Sequence, residues 1–435
     1  MPSIHPNAVI ANLPIDELHS SLRAFLQPVS NLLPDLRLRA VAELIAQGIV
    51  TSQSPVVTQI ARGTRYTDET VWPTCKRAYR FLGNPHFTHR TLLKGLYRVA
   101  QRTVVEQAPK SLVVAVDPVN FEKPYTQNLE GVSRVMKATP PCLGHPKRIT
   151  RGYPAITATL VNLDQPATTY ANWFSYERPE FISQNREIEK AFRVTRALFP
   201  GQKLRFVGDA GLDDQKVFAH VARVQGEFVI RGCHDRAIDV YNPRRKRWER
   251  EKLLDVVATL PFEFEQKVVF THAGQLWRVR TGFGWLPIRL PDTQQLLWLL
   301  VAHSFDDGHD LLLLTNVPLR TAAQVRQVYQ DWRLRGKIEH GYRFDQEQGL
   351  DVEDLRVETL ERMRRLFVLV LLAAQFIGYI DRTWAQPAVR WLRQLGGKLG
   401  LKSDRNGPYV LMRGISAVWQ TAATLTFSAS HPFPR

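Results

Sequence analysis

The chain has 435 residues, 44% of them apolar and 23% charged, which suffices for a large buried core and for two to four domains of roughly 100–200 residues. Wholesale disorder is excluded. Fifty-eight Lys and Arg against forty-one Asp and Glu leave a formal charge of +17, which predicts a polyanionic partner through counterion release. The cysteines Cys75, Cys142 and Cys233 are odd in number and far apart, so they suggest neither a disulfide framework nor a thiolate metal site; the expected compartment is reducing cytoplasm. The opening residues, with Asp16, Glu17 and Arg23, do not read as a secretory leader.

Residues 1–110 lack strand-like alternation and carry helical stretches at Leu36–Ile49, Val56–Arg62 and Thr70–Leu82. Thirteen basic against seven acidic residues, with Arg62, Arg65, Lys76, Arg77, Arg80 and Arg90 interleaved among Tyr66, Trp72, Tyr79 and Phe81, point to a helical DNA-binding domain; solvated helix faces are the bland alternative. At Leu112 the pattern changes to Leu-Val-Val-Ala-Val, a buried strand expected to end at Asp117-Pro118. Candidate strands follow at Ala155–Asn162 and Thr169–Glu177, then a helix at Gln184–Leu198, a strand at Leu204–Gly208, a helix at Asp214–Val224 and a strand at Phe228–Arg231. This order makes 111–231 the first part of an α/β core with a mixed sheet.

Residues 232–310 read as a β-rich insertion, in which Val268–His272, Gln275–Thr281 and Leu286–Leu290 are strand-like. Asp306-Asp307-Gly308 turns Leu296–Ser304 into Leu311–Thr315. Basic Arg244, Arg245, Lys246 and Arg247 beside Trp248 are expected at a hairpin tip, either solvated or against a DNA backbone. Trp277, Trp285 and Trp298 suit a β-rich core better than base stacking. Segment 311–358 carries a helix from Ala323 to about Gln346, and 359–435 is a helical C-terminal region with eleven basic and three acidic residues in 361–435. The apolar run Leu366–Ile380, broken by Gln375 and Gly378, is too short for a bilayer span and reads as a buried core helix.

Two carboxylates follow directly on buried strands, Asp117 and Asp209, and sites form at strand C-termini of open α/β sheets. Either alone could be a turn or cap residue. Gly208 and Gly211 would leave room for a substrate backbone beside Asp209. A third oxygen ligand for Mg²⁺ is available in Glu339, within Tyr329-Gln-Asp-Trp-Arg-Leu-Arg-Gly-Lys-Ile-Glu339, although an ion pair with Arg335 or Arg343 would also account for it.

The strand ending at Asp117, Val207-Gly-Asp-Ala-Gly-Leu212, Leu311-Leu-Leu-Leu-Thr-Asn316, and Ile338-Glu339 followed by Gln348-Gly-Leu-Asp351 resemble a DDE transposase of the bacterial insertion-sequence type. Ala78-Tyr-Arg-Phe-Leu-Gly-Asn-Pro85 resembles that family's end-binding region, so the likeness covers most of the chain. The resemblance implies an α/β ribonuclease-H-like catalytic core split by a β-rich insertion, with all-α N-terminal and C-terminal regions. It implies Asp117, Asp209 and Glu339 as catalytic and metal residues for two Mg²⁺ ions, with Mn²⁺ as substitute. Cleavage at transposon ends, strand transfer into double-stranded target DNA, a synaptic homodimer and a nucleoid-associated bacterial cytoplasmic location follow from the same likeness. DNA contacts are expected from Tyr329, Arg333, Arg335, Arg77, Arg80, Arg244, Arg245 and Lys246.

The family's Tyr, Arg, Glu and Lys signature falls here on Trp332, Arg335, Glu339 and Gln346, so its first and last positions are changed, with a rearranged turn expected around Gly336. No membrane partner is expected, and neither a phosphate-binding loop nor a dinucleotide fingerprint occurs, so no nucleotide cofactor is implied. Two alternatives remain at this level: a catalytically inactive DNA-binding derivative acting as a repressor, and another ribonuclease-H-like nuclease.

Overall fold

A computed structural model describes residues 13–64, 71–124, 126, 128–137, 148–272, 275–338, 350, 352–397 and 407–430. The described residues open with five helices, α1 (Ile15–Ser30), α2 (Leu36–Ser52), α3 (Val57–Gly63), α4 (Val71–Leu82) and α5 (His89–Gln107). Their starts follow local chemistry; Asp35 caps α2 by accepting from Leu38 N at 2.8 Å, satisfying an otherwise orphaned donor. Strands β1 (Leu112–Glu122), β2 (Ser133–Met136), β3 (Ile149–Leu160) and β4 (Ala167–Trp173) come next. Then α6 (Gln184–Leu198), β5 (Leu204–Gly208), α7 (Gln215–Arg223) and β6 (Glu227–Arg231) alternate. The run β7 (Ala237–Asn242), β8 (Arg247–Lys252), α8 (Leu253–Thr259), β9 (Phe264–His272), β10 (Gln275–Arg289), β11 (Leu296–Ser304) and β12 (Asp310–Thr315) leads into α9 (Ala322–Arg333). Helices α10 (Leu360–Thr383), α11 (Gln386–Gly396) and α12 (Pro408–Ser430) complete the described chain.

The described strands form one mixed sheet in the order β2-β3-β1-β5-β6-β12-β11-β10-β7-β8, with β4 paired to β3 and β9 to β10. β1, β5 and β6 run parallel, joined by α6 and α7 crossovers, whereas β3, β4 and β12 are antiparallel to their neighbours. Alternation along β1 assigns its two faces. Leu112, Val114 and Val116 point into a core with Ile188 and Phe192 of α6 and Val217 and Phe218 of α7. On the opposite face, Val113 and Ala115 join Val207, Val229, Val325 and Val328 beneath α9.

Three boundaries differ from the sequence expectation. β1 does not stop at Asp117-Pro118 but continues to Glu122 against β3. Lys123 N donates to Arg151 O, so odd-numbered amides of β1 face β3, and the N–H that Pro118 lacks would face the other side, beyond the end of β5 at Gly208. β10 is one strand through both segments read separately, 275–281 and 286–290. The helix read from Ala323 to about Gln346 ends at Arg333, is followed by a turn at Leu334-Arg335, and resumes at 336–338.

The N-terminal and C-terminal helical regions do not have separate cores. Leu18, Phe25 and Ile49 share one apolar cluster with Phe376, Ile377 and Trp419, and that cluster also covers Phe121, Tyr153 and Trp173 of the sheet. Helix α10 is long and apolar enough to cross a bilayer, yet 78% of its most apolar stretch is buried here. Arg365, within α10, is buried and donates to the carbonyls of Leu82 at 3.0 Å, Asn84 at 2.8 Å and Phe87 at 2.5 Å. The chain from Leu82 to Phe87, which overlaps the Ala78–Pro85 motif, therefore anchors the N-terminal helices on α10. Next to it, His89 N donates to Glu361 Oε1 at 2.6 Å and His89 Nδ1 lies 2.5 Å from Oε2.

Helix α9 is clamped to the sheet by a buried ion network. Arg205 on β5 pairs with Asp331 on α9 and, at 2.6 Å, with Glu227 on β6. Arg205→Met strands Asp331 without its charge partner and is expected to cost about 3 kcal/mol in urea unfolding, whereas Arg205→Met with Asp331→Leu recovers most of it. A loss below about 1 kcal/mol for the single variant would dismiss the clamp. Desolvation raises the Glu361 pKa, but the hydrogen bonds from His89 and Arg365 more than offset it and hold the carboxyl at about 2 against an ordinary 4.5. A depressed folded pKa contributes stability above about 4.5 that disappears as pH falls toward 2, so unfolding free energies should drop over that window and Glu361→Gln should flatten the profile. An identical slope in the variant would remove Glu361 from the acid response.

Candidate active site

Strand register brings the two aspartates onto adjacent chain segments. β1 and β5 pair in parallel with Val113 opposite Arg205 and Ala115 opposite Val207, and continuing by two residues sets Asp117 level with Asp209. Neighbouring strands lie about 4.8 Å apart, and side chains at even separations share a face. Asp117 therefore follows Val113 and Ala115, and Asp209 follows Val207, on the α9 side of the sheet. The Asp209 backbone is extended, with φ −85° and ψ −173°, so the alternation carries through it.

Asp117 occupies a seam in the helical cover. Before it on the same face, Val113 and Ala115 lie under α9; after it, Val119 and Phe121 lie under the α10 cluster. The side chain between them is half-buried, opposite Thr157 on β3. Asp209 is likewise half-buried, and its Oδ1 accepts from Gly211 N at 2.9 Å. The flanking glycines serve packing rather than an open approach. A Cβ on Gly208 would sit 2.4 Å from Leu212 Cδ1, and one on Gly211 would sit 3.1 Å from Asp209 Oδ1, so the first makes room for a core leucine and the second for the capping carboxylate.

The end of α9 and the turn after it pack against this point. Trp332 Nε1 donates to Gly208 O at 2.9 Å, immediately before Asp209, and Arg335 lies over the Trp332 ring at 5.6 Å. Lys337 Nζ donates to Leu163 O at 3.0 Å; burial lowers its pKa, with Asp164 opposing. Ile338 is 4% exposed in the cluster that holds Ala115 and Val207. Glu339, the expected third ligand, lies outside the described residues, as does Gln346. Among the described residues no group of three His, Cys, Asp or Glu side chains is arranged to hold a metal ion.

The other expected DNA contacts are dispersed. Tyr329 is 9% exposed and meets Phe283 edge-on at 5.0 Å, with burial pushing its hydroxyl pKa up, so its ring packs inward. Arg333 lies 5.5 Å over Phe270 and donates to Val269 O at 3.4 Å, bracing α9 on β9. Arg77 and Arg80 are exposed on α4 beside Trp72, itself 56% exposed with Lys76 above it at 5.7 Å. Arg244, Arg245 and Lys246 are exposed at the β7–β8 tip, at the opposite end of the sheet from β2. There Glu249 binds Arg247 at 2.8 Å and Arg245 at 3.1 Å, which holds its carboxyl down at about 2. Sequence reading did not single out Arg205 or Asp331, although a charge inside the apolar strand Leu204–Gly208 was a visible signal.

No protein-family model matches the chain, and no curated protein does. Among solved structures, a cryo-EM structure of the piggyBac transposase synaptic complex with hairpin DNA aligns over 100% of this chain and 84% of that chain, at 9% identity and a TM-score of 0.40. A likeness that slight decides neither fold nor activity. The Trp332 bond can be tested directly: Trp332→Phe retains an aromatic, though smaller, ring and leaves the Gly208 carbonyl without its donor. A stability loss of about 1 kcal/mol by thermal unfolding is expected, and no loss would show the bond to be dispensable.

Proposed function

We propose that this chain is a DDE transposase of the bacterial insertion-sequence type, cutting DNA at transposon ends and joining them to target DNA. The observation that carries the reading is the parallel register of β1 and β5, which sets Asp117 and Asp209 side by side on one face. The order β4-β3-β1-β5-β6, with β1, β5 and β6 parallel and β3 and β4 antiparallel, supports a ribonuclease-H-like core, and the β7–β11 run between β6 and β12 supports the split by a β-rich insertion.

The donor set suits a hard divalent cation. Adjacent carboxylates on one face repel unless a cation lies between them, and oxygen ligands at neighbouring-strand spacing match what Mg²⁺ takes. On this reading Asp117, Asp209 and Glu339 would together hold two Mg²⁺ ions, with Mn²⁺ as substitute. Such ions, when bound, favour the deprotonated water or 3′-hydroxyl and stabilise charge on the departing oxygen. The protein's own part is rigidity: strand pairing holds Asp117, the Gly211 N–H orients Asp209, and Trp332 ties the α9 turn to Gly208. Arg335 at that turn offers a planar donor set for phosphate.

DNA is proposed to lie against α4 through Arg77 and Arg80 and against the β7–β8 tip through Arg244, Arg245 and Lys246, contacts that position without reading sequence. A homodimer pairing two ends, in a bacterial cytoplasm, completes the proposal. The test is a plasmid carrying candidate inverted ends, incubated with protein and Mg²⁺. Wild type should excise the segment, and Asp209→Ala should lower cleavage at least about 1,000-fold while retaining end binding. Undiminished cleavage by that variant would falsify the assignment of Asp209. Binding without cutting by wild type would favour a repressor, and end-independent cutting another nuclease.

A further inference from the structure

The β2–β3 ribbon carries a charge pattern that the proposed catalytic core does not use. Arg134 and Arg151 are directly opposed cross-strand partners, both exposed. One rung farther on this face, Met136 and Ile149 are opposed, at 66% and 58% exposure. Lys137 N donates to Arg148 O at 2.9 Å, bringing two more cations to the ribbon's end. With Thr150 these four cations line a shallow concavity. Like charges set opposite one another destabilise a sheet. Among the described residues none of the four has an acidic partner; Arg151 donates instead to Thr126 O at 3.0 Å. By contrast, most other cations of this region are paired or capped, as Arg178 is by Glu130 and Lys123 by Leu355 O at 3.1 Å.

Register relates this patch to the aspartates. Asp117 opposes Thr157, and Arg151 lies six residues from Thr157 along β3, an even separation, so Arg151 and Arg134 share the face of Asp117. Six residues of strand span about 20 Å, or about six base steps of duplex at 3.4 Å each. Tyr153 and Ala155 between them are buried under the α10 cluster, so the ribbon is a separate contact beyond that cover rather than a continuation of the carboxylate site.

We propose that the β2–β3 ribbon, through Arg134, Lys137, Arg148 and Arg151, grips the DNA backbone about 20 Å from Asp117, on DNA flanking the cut or on target DNA. This deepens the transposase reading and rests on it for the identity of the duplex. The opposed arginines are tolerated because phosphates lie between them in the complex. Neither Arg134 nor Arg148 makes a side-chain hydrogen bond among the described residues, so both can be neutralised without dismantling local structure.

The test uses the full chain and a random-sequence duplex of about 30 base pairs, with affinity measured across a KCl series. Arg134→Gln with Arg148→Gln should make the log–log salt slope shallower by about 1.8, two phosphate contacts' worth. The same variant without DNA should melt no lower than wild type, because it relieves a like-charge rung. An unchanged slope at an unchanged melting temperature overturns the proposal, and so does a lowered melting temperature with the wild-type slope, which would give the arginines a structural role. Phosphatidylserine vesicles form the competing arm: loss of vesicle binding with duplex binding intact would make the patch a lipid-facing surface instead. Failure of the parent reading has a different signature. Wild type that binds with the steep slope, loses it in the variant, yet never cuts in Mg²⁺ leaves the ribbon standing and removes the nuclease.

Discussion

The parallel pairing of β1 with β5 is the constraint on which the site depends. Two residues 92 positions apart become neighbours only because Ala115 pairs with Val207, and each carboxylate follows two residues later. A slip of one residue would turn Asp209 toward α6 and α7 and carry Val207 out of its cluster, so the hydrophobic penalty that fixes register also fixes the carboxylates. Fully buried Val113, Ala115 and Val207 on one face and Val114, Val116 and Phe206 on the other make that penalty large.

Around this pair two helical covers meet. Asp117 lies where one helical cover ends and another begins, α9 over the first half of β1 and the α10 cluster over the second. Each cover is secured by a buried arginine. Arg205 ties α9 to β5 and β6, and Arg365 ties α10 to the carbonyls following α4. A buried ion pair adds little net stability, but it costs heavily when one partner is missing, which makes it a device for holding an element in one position. Position is what the proposed metal-binding role of the two carboxylates would require.

The excess of positive charge is distributed rather than pooled. Arg77 and Arg80 on α4, the β7–β8 tip and the β2–β3 ribbon occupy separate parts of the molecule, a pattern suited to a long polyanion touched at several points and unsuited to a small anionic ligand. Arginines that seemed equivalent in the chain divide by environment. Arg333 is spent on Phe270 and the Val269 carbonyl, and Arg245 on Glu249, whereas Arg134 and Arg148 have no acidic partner among the described residues.

Local chemistry was legible in the chain itself: the boundaries of α6 and β5, the turn between β11 and β12, and the apolar strand that delivers Asp117 all follow from periodicity and turn residues within a few positions. The candidate pair Asp117 and Asp209 was legible for the same reason, as each follows a buried strand. Tertiary structure alone decided that β1 runs past Pro118, because that depends on β5 ending beside it, and that the two helical ends of the chain share one core, because their apolar faces are complementary only in three dimensions. It also turned Tyr329 inward and set Arg134 opposite Arg151 with no acidic partner among the described residues, since a side chain's partner is set by what folds against it and not by its place in the sequence.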